Sequence, residues 1–183
     1  MKYLNREIET LLKKRGAELI RCVSISHLDQ RQSRRFSHAI VFTFPLTAKY
    51  IREVADTPNY VQARIDDTKT SVLPHKTIAL LSGIGWIGKN NLLITPEYGS
   101  AQCLGTVLTD APLKTIIHEP LLPKCGNCVA CIDICEKHVL KRGVWSIGVS
   151  RDEIIDVFGC STCLKCLVHC SVTQAYVKRH LLK

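Results

Sequence analysis

The sequence predicts an α+β protein in two parts, an α/β domain over residues 1–118 and a small cysteine-rich domain over residues 119–183. Three observations carry this reading. Short β-branched apolar runs alternate with helix-period runs through the first part. Eight of the ten cysteines crowd into the last third of the chain. A chain of 183 residues has room for one ordinary core plus a second unit too small to fold on apolar burial alone.

The elements follow in order. Residues 5–16 read as a helix, with Ile8, Leu11 and Leu12 at i, i+3, i+4 and Gly16 as the stop. Residues 18–26 read as a strand (Leu19, Ile20, Val23, Ile25) whose alternation breaks at Cys22. Arg31, Arg34 and Arg35 make a short basic loop, taken as a solvated connection rather than a phosphate site. Residues 38–44 form a second strand closed by Pro45, and 46–54 a turn or two of helix. Residues 59–71 read as a polar loop in which Asp66 and Asp67 are solvated rather than an acid–base pair. Residues 75–82 read as a short apolar helix ending at Gly83.

The stretch Gly83-Ile84-Gly85-Trp86-Ile87-Gly88-Lys89-Asn90-Asn91 satisfies both G-x-G-x-x-G and G-x-x-x-x-G-K. A dinucleotide site needs a strand before it and a helix after it, and here the order is reversed. Asn90 stands where a phosphate loop needs Ser or Thr for Mg²⁺. What remains is a Gly-rich turn with Trp86 as packing anchor and Lys89 as an anion contact; a plain helix-to-strand turn with Trp86 in the core is the equal alternative. Residues 92–95 and 102–109 read as a hairpin around Pro96–Ser100. In the second part, 139–149 is a turn or short hairpin. Ser150 then caps a helix over 151–158, with Glu153 at the capping-box position.

Cys125, Cys128, Cys131 and Cys135 stand at C-x2-C-x2-C-x3-C spacing, and Cys160, Cys163, Cys166 and Cys170 repeat it after 24 residues. Such runs hold [4Fe–4S] clusters, and in two-cluster ferredoxins the fourth cysteine of each run ligates the other cluster. The expected sets are therefore Cys125, Cys128, Cys131 and Cys170 for one cluster, and Cys160, Cys163, Cys166 and Cys135 for the other, in a ferredoxin-like two-cluster domain. Tetrahedral zinc is the competing reading and a disulfide framework the third. Bacterial runs place Pro after the fourth cysteine; Glu136 and Ser171 stand there instead. Glu136 and Asp133 are expected to lower the potential of the nearby cluster. His138 and His169 flank the runs as candidate hydrogen-bond donors to cluster sulfur. Cys22 and Cys103 read as buried core thiols.

The formal charge is +9, and two ligated clusters would remove roughly four units. The resulting basic surface fits an acidic redox partner protein or RNA, and no RNA-binding motif is present. The N-terminus, Met-Lys-Tyr-Leu-Asn-Arg-Glu, is too charged for a secretory leader and no stretch reads as a membrane span, so the expectation is a cytoplasmic protein with reduced thiols.

The run His75-Lys76-Thr77, the turn Gly83–Lys89 with Asn90-Asn91-Leu92-Leu93, then Thr95-Pro96-Glu97-Tyr98-Gly99 and Leu108-Thr109-Asp110-Ala111-Pro112-Leu113, followed by the two Cys runs, resemble the epoxyqueuosine reductase-like family. The resemblance covers residues from about Leu73 onward and, more loosely, the N-terminal strands. It implies a nitroreductase- and cobalamin-processing-like α/β domain that binds a corrinoid, fed with electrons by the two-cluster domain. It also implies removal of the epoxide oxygen from epoxyqueuosine in tRNA. On this resemblance Gly85, Trp86, Gly88 and Lys89 are candidates for the cofactor wall. The family's acidic proton donor, about fourteen residues before the Gly-rich turn, aligns with Lys69, with Asp66 and Asp67 out of register; no catalytic residue is assigned. The stretch from Tyr60 to Asp67 is shorter than in related short proteins, and the sequence carries no C-terminal helical repeats of the kind that help reductases hold tRNA. The resulting expectation is an iron–sulfur redox protein passing single electrons to a corrinoid or related acceptor. The alternative is a ferredoxin-like electron-transfer partner without catalytic activity of its own.

Overall fold

The computed structural model describes residues 2–55, 74–146 and 148–181. Asp66, Asp67 and Lys69 lie outside the described residues. The fold is mixed α+β, and the described residues divide into two compact units. One comprises residues 2–45, 74–84 and 102–121; the other comprises 46–55, 85–101, 122–146 and 148–181. The last crossing between them falls between residues 121 and 122. The segment 85–101, which carries the Gly-rich turn, is grouped with the Cys runs.

The first unit is built on three antiparallel strands. β1 (Glu18–Ser24) pairs with β2 (His38–Pro45), and β2 pairs along its whole length with β5 (Gln102–Thr109), from Pro45 opposite Gln102 to His38 opposite Thr109. The irregularity in β1 lies between Glu18 and Arg21, where Leu19 takes φ 43°. Cys22 and Val23 lie beyond the bulge in regular register, so they point to opposite faces, and both are buried.

Helix α1 (Lys2–Lys14) lays Leu4, Ile8 and Leu12 on a core formed with Ile20, Cys22, Ile40 and Leu113. The stripe is i, i+4, i+8; Leu11, expected inside, is exposed. Gly16 at φ 87° reverses the chain after the helix. Asn5 clamps the segment after β5: its amide donates to Lys114 O over 2.8 Å and its Oδ1 accepts from Lys114 N over 2.9 Å. The basic stretch is a one-turn helix, α2 (Gln30–Ser33), capped by Asp29 Oδ1, which accepts from Arg31 N over 2.7 Å; Arg34 and Arg35 follow in left-handed conformation. Helix α4 (His75–Leu81) buries Ile78, Ala79 and Leu80 against β2 and β5.

In the second unit, α3 (Ala48–Ala55) packs on α8 (Ser171–Leu181), with Ala48, Ile51, Ala101, Leu167, Val168, Tyr176 and Val177 in one apolar cluster. Two strands of two residues, β3 (Trp86–Ile87) and β4 (Leu93–Ile94), pair antiparallel. This overturns the expected hairpin between residues 92–95 and 102–109, because β4 finds its partner in β3 and β5 finds its partner in β2. The stretch Thr95–Gly99 closes on itself instead, Thr95 N–H donating to Gly99 O over 3.0 Å and Gly99 N–H to Thr95 O over 2.9 Å.

Candidate metal centre

The Cys runs are held by short helices and tight turns. In the first run, Gly126 at φ 48° lets Cys128 N–H donate back to Cys125 O over 2.9 Å, and α5 (Ala130–Asp133) carries Cys131. In the second, Thr162 and Leu164 take φ 54° and 60°, and α7 (Lys165–Val168) carries Cys166. Non-Gly residues rarely adopt that conformation, and two within three residues bend the loop so that Thr162 N–H donates to Cys160 Sγ over 3.4 Å. Cys170 is buried immediately before α8. His138 donates its backbone N–H to Cys135 O over 2.9 Å.

Two groups of thiols result. Cys125, Cys128, Cys131 and Cys170 line one recess, together with Lys89, Lys124 and Ser171. Burial pushes the Cys131 thiol up to about 11, and its neighbours Cys170, Cys125 and Cys128 push the same way. Burial likewise pushes Cys166 up to about 12, reinforced by Cys160, Cys131, Cys163 and Cys135. Each of these two thiols therefore has the other three of its expected set as electrostatic neighbours, and Cys166 also feels Cys131. All ten cysteines are free thiols. Among the described residues, no three Cys, His, Asp or Glu side chains form a group suited to a single metal ion. Cys103, expected to be buried, is exposed, whereas Cys22 is buried as expected.

The Gly-rich turn supports the first Cys loop. Lys89 Nζ donates to Gly126 O over 2.7 Å and to Cys128 O over 3.1 Å. Gly85, Trp86 and Gly88 are all buried. A Cβ on Gly85 would stand 2.1 Å from Ile94 O, so the β3–β4 approach demands glycine there. The Lys124 ammonium lies 5.8 Å from the Trp86 ring centre, and the Trp86 indole N–H meets no acceptor among the described residues. Asn90, whose identity argued against a phosphate loop, has a structural use: its buried amide donates to Ser100 Oγ over 3.0 Å and to Cys166 O over 3.3 Å. Nothing local in the sequence signals this, because the two partners lie 10 and 76 residues away.

Glu136 is ion-paired with Lys165, and that partner holds its carboxyl below the usual range. The Lys165 ammonium beside it offsets part of the charge that the ionised Glu136 carries. Asp133 remains as an electrostatic neighbour of Cys128, which the Ala130 N–H, the Ser171 hydroxyl and Lys89 together draw below the ordinary thiol value.

No protein-family profile matches the sequence. Among curated proteins, an epoxyqueuosine reductase of Bacillus anthracis is 33% identical over 111 residues, a stretch covering 51% of this chain and 29% of that protein. A solved structure of a selenomethionine-labelled epoxyqueuosine reductase superposes with TM-score 0.63 over 96% of this chain and 67% of its own, at 15% identity. The likeness is to epoxyqueuosine reductases, over about half of this chain in sequence and nearly all of it in fold. A second epoxyqueuosine reductase structure, solved with an epoxyqueuosine-modified tRNA-Tyr stem loop, gives TM-score 0.61 at 15% identity, over 96% of this chain and 66% of that one. At such identities the likeness to the solved structures is one of fold. The chain covers less than a third of the length of that Bacillus protein. Among the described residues no helix is long and apolar enough to cross a membrane.

Proposed function

We propose that the chain is an iron–sulfur redox protein of the epoxyqueuosine reductase type. Cys125, Cys128, Cys131 and Cys170 hold one [4Fe–4S] cluster in its ferredoxin-like part, and Cys160, Cys163, Cys166 and Cys135 hold the other. The observation that carries this reading is the recess lined by Cys125, Cys128, Cys131 and Cys170, in which the fourth thiol comes from the opposite run; Cys166 in turn has Cys160, Cys163 and Cys135 beside it. Their chemistry fits the group: buried neutral thiols raised to about 11 and 12 need a polycationic core to draw off their protons. When bound, such clusters accept and release single electrons. The chain's own residues bind and position: Lys89 and Asn90 fix the two Cys loops by their carbonyls, and burial of Cys131 and Cys170 limits water at the thiolates.

The acceptor proposed with this reading is a corrinoid or related cofactor on the side of Gly85, Trp86, Gly88 and Lys89. By analogy with the tRNA-bound reductase structure, the substrate class is a modified tRNA. A nitroreductase-like ancestry of the first unit belongs to the same proposal. A second reading, an electron-transfer module serving another protein in the cytoplasm, has its own observation. Gly85, Trp86 and Gly88 are buried and Lys89 is already bonded to Gly126 and Cys128.

Anaerobic purification tests the common part: the protein should be brown, with about eight irons per chain. Colourless, iron-free protein would end both readings. Cys170→Ala should abolish the cluster of the Cys125 run, and loss of only the other cluster would refute the crossed sets. Cob(II)alamin added under reduction should turn base-off if the corrinoid reading holds; an unchanged spectrum leaves the electron-transfer module.

A further inference from the structure

The two positions that follow the fourth cysteine of each run have diverged in chemistry. Glu136 follows Cys135 and turns its carboxylate to Lys165, so it is an acceptor already satisfied. Ser171 follows Cys170, opens α8 and lines the recess of the first thiol set. The Cys128 thiol donates to Ser171 Oγ over 3.7 Å. A hydroxyl rotates to suit its partner, so against a Cys128 thiolate the same contact reverses and Ser171 becomes the donor.

Hydrogen bonds to cluster sulfurs favour the more negative, reduced form and so raise the potential. Proline, usual at this position in bacterial runs, has no donor to offer. The second set receives a donor as well, the Thr162 backbone N–H on Cys160 Sγ at 3.4 Å, but a backbone donor is present whatever the side chain.

We propose that Ser171 is a potential-setting residue: its hydroxyl, donating to the Cys128 sulfur, sets the cluster held by Cys125, Cys128, Cys131 and Cys170 at a higher potential than it would otherwise have. This rests on the cluster reading above. The position is permissive for substitution, because the first residue of a helix needs no intrahelical N–H bond.

The test compares wild type, Ser171→Ala and Ser171→Thr, each purified anaerobically with iron content measured. Each is titrated with dithionite against mediators, the two one-electron reductions being followed by electron paramagnetic resonance. Ser171→Ala should lower the one-electron reduction constant of one cluster by about tenfold, a negative shift of about 59 mV, and leave the other wave in place. Ser171→Thr, which keeps the hydroxyl, should titrate as wild type. Deuterium exchange should remove a proton coupling from the wild-type spectrum that Ser171→Ala lacks. Unchanged waves in fully loaded Ser171→Ala, equal shifts of both waves, or a threonine variant that behaves like alanine would each overturn the proposal while leaving the clusters standing. Wild-type protein without iron would instead remove the cluster reading itself, and this inference with it.

Discussion

Cys22 and Cys103 are the two thiols outside the Cys runs, and their environments have opposite chemistry. Cys22 is buried, and burial, then the charge of Glu9, pushes its thiol above the usual 9.0. Cys103 is exposed on β5. Because the thiolate is the reactive species, maleimide should label Cys103 faster than Cys22 by about tenfold or more; peptide mass spectrometry giving equal rates would contradict the burial of Cys22. His75 supplies a pH dependence. Burial holds its ring below the usual 6.5, and its Nδ1 has no hydrogen-bond partner among the described residues. The unfolded chain then binds a proton that the folded chain does not. This contribution to stability is in place above pH 6.5 and is lost as pH falls through the lower folded value. Urea midpoints should drop between pH 7 and pH 5, and His75→Leu should flatten that slope.

At the scale of elements, α8 is placed by backbone geometry as much as by its apolar face. Gly99 takes φ 61°, and a Cβ there would stand 2.3 Å from Thr173 N. Next to it, Ser100 N–H donates to the buried Thr173 Oγ1 over 2.9 Å. At the other end of the contact, Tyr176 Oη donates to Leu46 O over 2.8 Å. Gly99→Ala should therefore destabilise the protein by about 1–3 kcal/mol from the left-handed backbone alone, with the clash added, read as a lowered denaturant midpoint. Helix α6 (Arg151–Ile154) shows the capping box legible from Ser150 and Glu153: Ser150 Oγ accepts from Asp152 N over 3.3 Å and Glu153 Oε1 from Ser150 N over 2.8 Å. The helix stops after four residues, short of the expected 158, because Ile155 turns extended to bridge Leu140. Ser150→Ala should cost about 1 kcal/mol. Within this span the start was readable because its partners are three residues apart, and the stop was not, because its partner is fifteen away.

For the whole molecule, the two units rest on different kinds of core. The first is closed by aliphatic side chains on a three-stranded sheet. In the second, Cys131, Cys135, Cys160 and Cys166 are themselves part of an apolar cluster with Val139, Leu140 and Ile155. If those sulfurs hold iron, chelation strips out part of that core. Removing iron anaerobically should lower the melting temperature, and hydrogen exchange should speed up around the Cys runs while β1, β2 and β5 keep their protection. Uniform loss of protection in both units would show instead that they unfold as one.

Residue order alone determined the features whose physics is short in range: the doubled cysteine spacing, a helix near the start of the chain, the strands near 38–44 and 102–109, and the cap at Ser150. Their signals are carried by neighbouring residues, so local geometry suffices. Only the tertiary structure decided that β4 pairs with β3 and not with β5, that Leu11 faces outward, and that Lys89 and Asn90 hold the carbonyls of Cys128 and Cys166. Those outcomes turn on which of several competing contacts wins, some of them, such as β5 with β2 and Asn90 with Cys166, between segments tens of residues apart. A pattern of residue types cannot rank such contacts until the folded chain brings them within reach.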